Sequence, residues 1–207
     1  RQAKERGLAV TAEVTPHHLT LNENWVLGHD GSGPLTGSLT SNAYDTATKV
    51  NPPLRTQRDV EALLECLRDG VIDAIATDHA PQTITEKLVT YDEASYGLSG
   101  LETALGALMI LVHRGELSLN LLVERLTLGS LSVLGDDYKH LTTLQQGTTA
   151  DITLFDPNQE WVVRGEEFAS KGKNTPLEGV TLRGRVVATI VEGRVVYSAL
   201  QAPAGSV

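Results

Sequence analysis

Ala74-Ile75-Ala76-Thr77-Asp78-His79-Ala80-Pro81 is the stretch on which the reading of the fold turns. It continues Val71-Ile72-Asp73, and the combined run is mostly small and β-branched. That composition suits a strand buried on both faces, as in a parallel sheet. The run then stops abruptly at Asp78, His79 and Pro81. A carboxylate at the end of a buried strand is costly unless a metal, a proton or hydrogen bonds compensate it. The C-terminal ends of parallel strands are also where barrel enzymes carry catalytic groups. Two readings of Asp78 are open: a turn cap that accepts bonds from the following backbone, or a carboxylate that binds a ligand.

Upstream, residues 57–69 place Val60, Leu63, Leu64 and Leu67 on one helical face, with Thr56 as cap and Gly70 after the end. Helix followed by strand makes one αβ unit. A second precedes it: Arg1-Gln2-Ala3-Lys4-Glu5-Arg6-Gly7 reads as the end of a helix, and residues 8–14 alternate as a strand. Tandem αβ units favour a parallel sheet or barrel. The chain starts in that helix and without Met, so a longer polypeptide is expected. Glu13-Val14-Thr15-Pro16-His17-His18-Leu19 ends the first strand. Imidazole is a common metal ligand, but neighbours on extended chain point opposite ways, so at most one of the pair reaches a given site; hydrogen-bonded loop histidines are the other reading. Residues 22–27 suggest a short helix, and residues 29–45 have loop composition suited to a lid or substrate loop. In Asn51-Pro52-Pro53 the prolines stiffen the backbone, so Asn51 either grips an amide or imide or stabilises a turn.

Downstream, residues 82–99 are polar, residues 101–114 form an apolar helix ending at Gly115, Ser118 or Asn120 opens another, and Ser130 caps a last short one. From Gly147 the pattern changes to short strands: residues 151–157, 160–164, 186–191 and 194–197, the last pair joined at Glu192-Gly193. The 207 residues carry a net charge of −9, which argues against a nucleic-acid partner. No apolar run has the length of a membrane span. The lone Cys66 excludes a disulfide framework and fits a reducing compartment.

Asn51-Pro52-Pro53-Leu54-Arg55, then Asp78-His79-Ala80-Pro81, then Glu86-Lys87 resemble dihydroorotases of the bacterial amidohydrolase type. Residues 13–19, Gly100-Leu101-Glu102-Thr103-Ala104, Gly147 with residues 150–154, Ser170-Lys171, Asn174-Thr175-Pro176 and Val191-Glu192-Gly193 follow the same pattern nearly end to end. The resemblance implies an α/β fold: residues 1–140 as the last strands and helices of a (β/α)8 TIM barrel of the amidohydrolase superfamily, residues 141–207 as a small β-sandwich module. It implies a two-zinc (Zn²⁺) enzyme that cyclises N-carbamoyl-L-aspartate to L-dihydroorotate in pyrimidine (UMP) biosynthesis. It implies Asp78 as metal ligand and catalytic acid/base, and Asn51, Gln82, Tyr96 and Gly97 as substrate-binding residues. The other metal ligands would lie upstream of Arg1, leaving His17 and His18 structural. At Gln82 the family usually carries His, and at Tyr96 usually Phe. A neutral amide binds a carboxylate less strongly than a charged donor, which motivates one alternative, a non-catalytic subunit scaffolding aspartate transcarbamoylase; a related hydantoinase or allantoinase, which shares parts of the pattern, is another. A cytoplasmic homo-oligomer acting on a small molecule, with no membrane or nucleic-acid partner, is the expectation.

Overall fold

The computed structural model describes residues 1–28 and 43–200. The loop expected over residues 29–45 lies mostly outside them. In chain order the elements are α1 (Gln2–Glu5), β1 (Glu13–Val14), α2 (Pro16–Thr20), α3 (Gln57–Arg68), β2 (Ala74–Ile75), α4 (Ile84–Lys87), α5 (Ala104–His113), α6 (Leu119–Leu126), α7 (Leu128–Leu134), β3 (Ile152–Val162), β4 (Thr181–Val191) and β5 (Arg194–Ser198). Residues 23–25 form a 3₁₀ turn where a short helix was expected.

α3 forms for the reasons its sequence carries. Thr56 Oγ1 accepts from Asp59 N, and Asp59 Oδ2 accepts from Thr56 N at 3.0 Å, a reciprocal capping box. Val60, Leu64 and Leu67 are buried along one face. They pack with Val14, Ile75 and Leu108 in the core beneath the β1–β2 pair. That pair is parallel, with Glu13 opposite Ala74 and Val14 opposite Ile75. Both strands are shorter than expected. Leu8 and Val10 are exposed, and residues 71–73 serve the turn out of α3, where Val71 N and Ile72 N both bond Cys66 O.

α5 is apolar almost all round because it is covered on two sides, by α2 and by β4. It starts at Ala104 rather than residue 101. α7 is preceded by Thr127, so Ser130 is not its cap. β3, β4 and β5 form one antiparallel sheet in sequence order, closed by the two-residue Glu192-Gly193 turn. The break expected between residues 157 and 160 is instead a register shift within one strand: Asp156 Oδ1 accepts from Asn158 N and Gln159 N, and pairing resumes at Glu160. Among the described residues this is a single sheet, without the second layer that a sandwich requires. Its Leu182 packs with Ala107 of α5, Leu98 and Phe168, so the sheet shares a core with the helices before it. No helix among the described residues is long and apolar enough to cross a membrane.

Candidate active site

Asp78 lies three residues beyond β2. The chain there is still tied to its neighbour through Ala76 N and Val14 O, 3.0 Å apart. Asp78 itself adopts φ +48°, a left-handed conformation that costs a non-glycine residue about 1 kcal/mol or more. Its carboxylate is exposed, and no backbone N–H among the described residues donates to it. Turn capping is therefore not its role here. The strained backbone presents the carboxylate outward at the end of the parallel pair.

His79 turns the other way. Its Nδ1 accepts from Gly100 N (3.1 Å) and Leu101 N (3.2 Å). Two donors on Nδ1 leave the ring proton on Nε2, which faces Ser170 Oγ at 3.2 Å. Ser170 Oγ and N both donate to Glu102 Oε1, at 2.6 and 2.8 Å. Burial opposes ionisation of Glu102, but hydrogen bonds, those from Ser170 foremost, together with the proximity of His79 hold the carboxyl below its usual range. Both His79 nitrogens are thus occupied by protein.

The other expected site residues fall into two groups. Gln82, Tyr96 and Gly97 come together. Gln82 Nε2 donates to Tyr96 O at 2.8 Å. Gly97 N donates to Lys49 O at 2.9 Å, and Gly97 O accepts from Asn174 Nδ2 at 3.0 Å. Gly97 has φ +117°, and a Cβ there would meet Ala80 Cβ at 2.6 Å, so only glycine permits this approach. The backbone groups of Tyr96 and Gly97 are mostly engaged within the protein, leaving Tyr96 N and the carbonyls' second lone pairs. The Tyr96 ring is 56% exposed and lies under Lys49 Nζ, 4.7 Å from the centroid.

Asn51 forms the second group. It is exposed, between buried Val50 and a cis bond to Pro52. Pro52 O accepts from His18 Nε2 at 2.9 Å, while His18 Nδ1 faces Thr15 Oγ1 at 2.7 Å. His18 is thus a hydrogen-bonded histidine, as expected, but in α2 rather than in a loop. His17 is buried, and burial pushes its pKa down to about 3.

Lys87 carried no expected role. It is 8% exposed, with Nζ donating to Thr46 O (2.9 Å) and Ser95 O (2.7 Å), which braces the segment leading into Tyr96. Desolvation pushes its pKa from 10.5 down to about 8. The unfolded chain then binds more protons between those values, so stability rises with pH from 8 to 10.5. Denaturation midpoints across that range should rise in the parent and lose that part of the rise in Lys87→Met; identical curves would contradict this role for Lys87.

Residues 11–196 match the amidohydrolase family. The chain belongs to that family. It is 50% identical over 197 residues to a dihydroorotase from Pelotomaculum thermopropionicum, and 46% identical over 198 residues to one from Thermoanaerobacter sp. (strain X514). Each match covers 95% of this chain and 42% of the relative, so the chain spans about two fifths of the length of these amidohydrolases. Among solved structures it is similar to the L-hydantoinase (dihydropyrimidinase) of Arthrobacter aurescens, with TM-score 0.82, 28% identity, and coverage of 97% of this chain and 42% of that one. It also shares the fold of a D-hydantoinase (dihydropyrimidinase) from Thermus sp., with TM-score 0.78, 22% identity, and coverage of 95% and 41%.

Members of such a family are expected to use a metal, and the donor chemistry here fits one ligand of a set. A catalytic zinc takes about three protein ligands. Among the described residues, no three His, Cys, Asp or Glu side chains are grouped to hold an ion. Asp78 offers a free carboxylate, whereas His18 and His79 have both nitrogens engaged.

Proposed function

We propose that the full-length protein is a dihydroorotase that interconverts N-carbamoyl-L-aspartate and L-dihydroorotate. We further propose that residues 1–140 are the last part of its (β/α)8 barrel and residues 141–207 its C-terminal β module. The observation that carries this is the exposed, strained Asp78 carboxylate at the end of a parallel strand, joined through Ala80 to the Gly97 loop: Ala80 N donates to Leu98 O at 3.0 Å. The family match and the identity to dihydroorotases, well above that to the hydantoinases, support the choice of ring.

In the hydrolytic direction Asp78 would be one ligand of a bound Zn²⁺ pair, which would make a water acidic enough to act at neutral pH. As the water oxygen bonds the ring amide carbon and the C–N bond breaks, Asp78 would accept the water's proton on a carboxylate oxygen and return it to the leaving ring nitrogen. Asn51 hydrogen-bonds the ring. Gln82 meets the substrate through its Oε1 and its second N–H, since its first serves Tyr96 O. Tyr96 N and Gly97 complete the grip.

Assaying the full-length protein on dihydroorotate, hydantoin and allantoin tests the reading. Dihydroorotate turnover at least tenfold above the other two is the expected result. A preference for hydantoin, or a zinc-free protein without turnover that co-purifies with a transcarbamoylase, would replace it. Residues 1–207 alone, with one candidate ligand, should show no turnover.

A further inference from the structure

Residues 170–174, in the link between β3 and β4, are far in sequence from the loops they touch. Asn174 Oδ1 accepts from Gln82 N at 2.9 Å, across 92 residues of sequence. Its Nδ2 donates to Gly97 O at 3.0 Å. Its backbone O accepts from Ser99 N at 2.8 Å. Fully buried Ser99 places Oγ 2.8 Å from Gly172 O and 3.1 Å from Asn174 Oδ1. A Cβ on Gly172 would lie 2.4 Å from Pro81 Cβ and 3.1 Å from Gln82 N, so the backbones touch where only glycine fits. One planar carboxamide therefore bridges the two segments that carry Gln82 and Gly97, with its acceptor on one and its donor on the other.

We infer that Asn174 is a positioning residue: its carboxamide fixes the spacing between the Gln82 turn and the Gly97 loop, and through that spacing sets the affinity for the cyclic amide. This rests on the proposed reading of that site. The bond to Gln82 N orients the backbone from which the Gln82 side chain springs, and the Gln82 side chain in turn holds Tyr96 O. Loss of the bridge leaves the segments joined by the Ala80 N–Leu98 O and Gln82 Nε2–Tyr96 O bonds but removes the two bonds that set their spacing at Gln82 N and Gly97 O. Asp78 is placed by β2 and, one residue on, by the His79–Ser170–Glu102 chain, none of which uses the Asn174 carboxamide, so its loss should act on binding more than on chemistry.

The test is Asn174→Ala in the full-length protein, on whichever cyclic amide the parent hydrolyses. KM should rise roughly tenfold, the scale of one or two lost hydrogen bonds, with kcat within about threefold. A tie serving stability alone lowers the melting temperature and the active fraction but leaves KM within twofold, and that result overturns the inference. If Asn174→Ala does not accumulate, Asn174→Ser replaces it, because a hydroxyl cannot span both partners; a severalfold KM rise supports the inference and an unchanged KM overturns it. A parent that prefers hydantoin to dihydroorotate changes the proposed substrate while leaving this comparison intact. A parent without turnover on any cyclic amide overturns both.

Discussion

Asp78→Asn in the full-length protein is expected to lower kcat about 10³-fold and to change KM by less than about threefold. The substitution keeps the shape of the side chain and removes its ability to take a proton. General acid–base groups contribute about 10²–10⁴-fold, and a residue that both accepts and returns the proton sits toward the upper end. The geometry supports placing that load here. The turn gives its exposed carboxylate no hydrogen bond among the described residues, so the charge is available to a ligand. Zinc content measured on the same variant separates the two roles given to Asp78. Full zinc with lost kcat assigns proton transfer; depleted zinc assigns ligation. An unchanged kcat would remove Asp78 from the mechanism altogether.

The sequence made the amphipathic elements legible. α3 could be read from Val60, Leu64 and Leu67 at helical spacing and from the Thr56/Asp59 pair, all local signals. The β4–β5 hairpin was readable from Glu192-Gly193 for the same reason. Errors fell where a distant partner decides. Residue 101 was expected inside a helix, but its N–H and that of Gly100 are claimed by His79 Nδ1, so α5 begins at Ala104. The patterns of residues 151–157 and 160–164 predict two strands; the Asp156 side chain instead carries one strand across a bulge.

The site divides along the same line. Asp78 stood out because a carboxylate ends an apolar run, and Gln82, Tyr96, Gly97 and Asn51 came from the family pattern. Ser170 and Asn174 belong to that pattern, which gives them no role. Their partners lie 91 and 92 residues away, and no periodicity encodes such a contact. The one local hint was Gly172 between them, since an isolated glycine in a polar link marks a close backbone approach. Lys87 was equally silent, because nothing in a short polar helix announces that its ammonium is buried against two carbonyls.

Acidification should destabilise the protein through His17 before its carboxylates titrate. His17 is 5% exposed, lies in α2 against the core, and its Nε2 has no hydrogen-bond partner. Desolvation first, and the neighbouring His18 second, push its pKa from 6.5 to about 3. Because the folded value lies below the unfolded one, the unfolded chain binds more protons between them. The stability contributed by neutral His17 is therefore complete above pH 6.5 and is lost as pH falls toward 3, at about 1.4 kcal/mol per pH unit. By pH 4.5 the loss is roughly 3 kcal/mol, a large share of the 5–15 kcal/mol typical of a domain. Asp59 and Glu86 are held low chiefly by side-chain bonds from Thr56 and Thr83. They act with the same sign, but only below the ordinary carboxylate range near 4, so the interval from pH 6.5 to 4.5 belongs to the histidine. His17→Leu replaces the ring with an apolar group and should flatten urea-denaturation stability across that interval, leaving the steeper loss below pH 4 in place. Equal slopes for parent and variant between pH 6.5 and 4.5 would mean that His17 is protonated without unfolding, and that α2 opens to water more readily than its packing indicates.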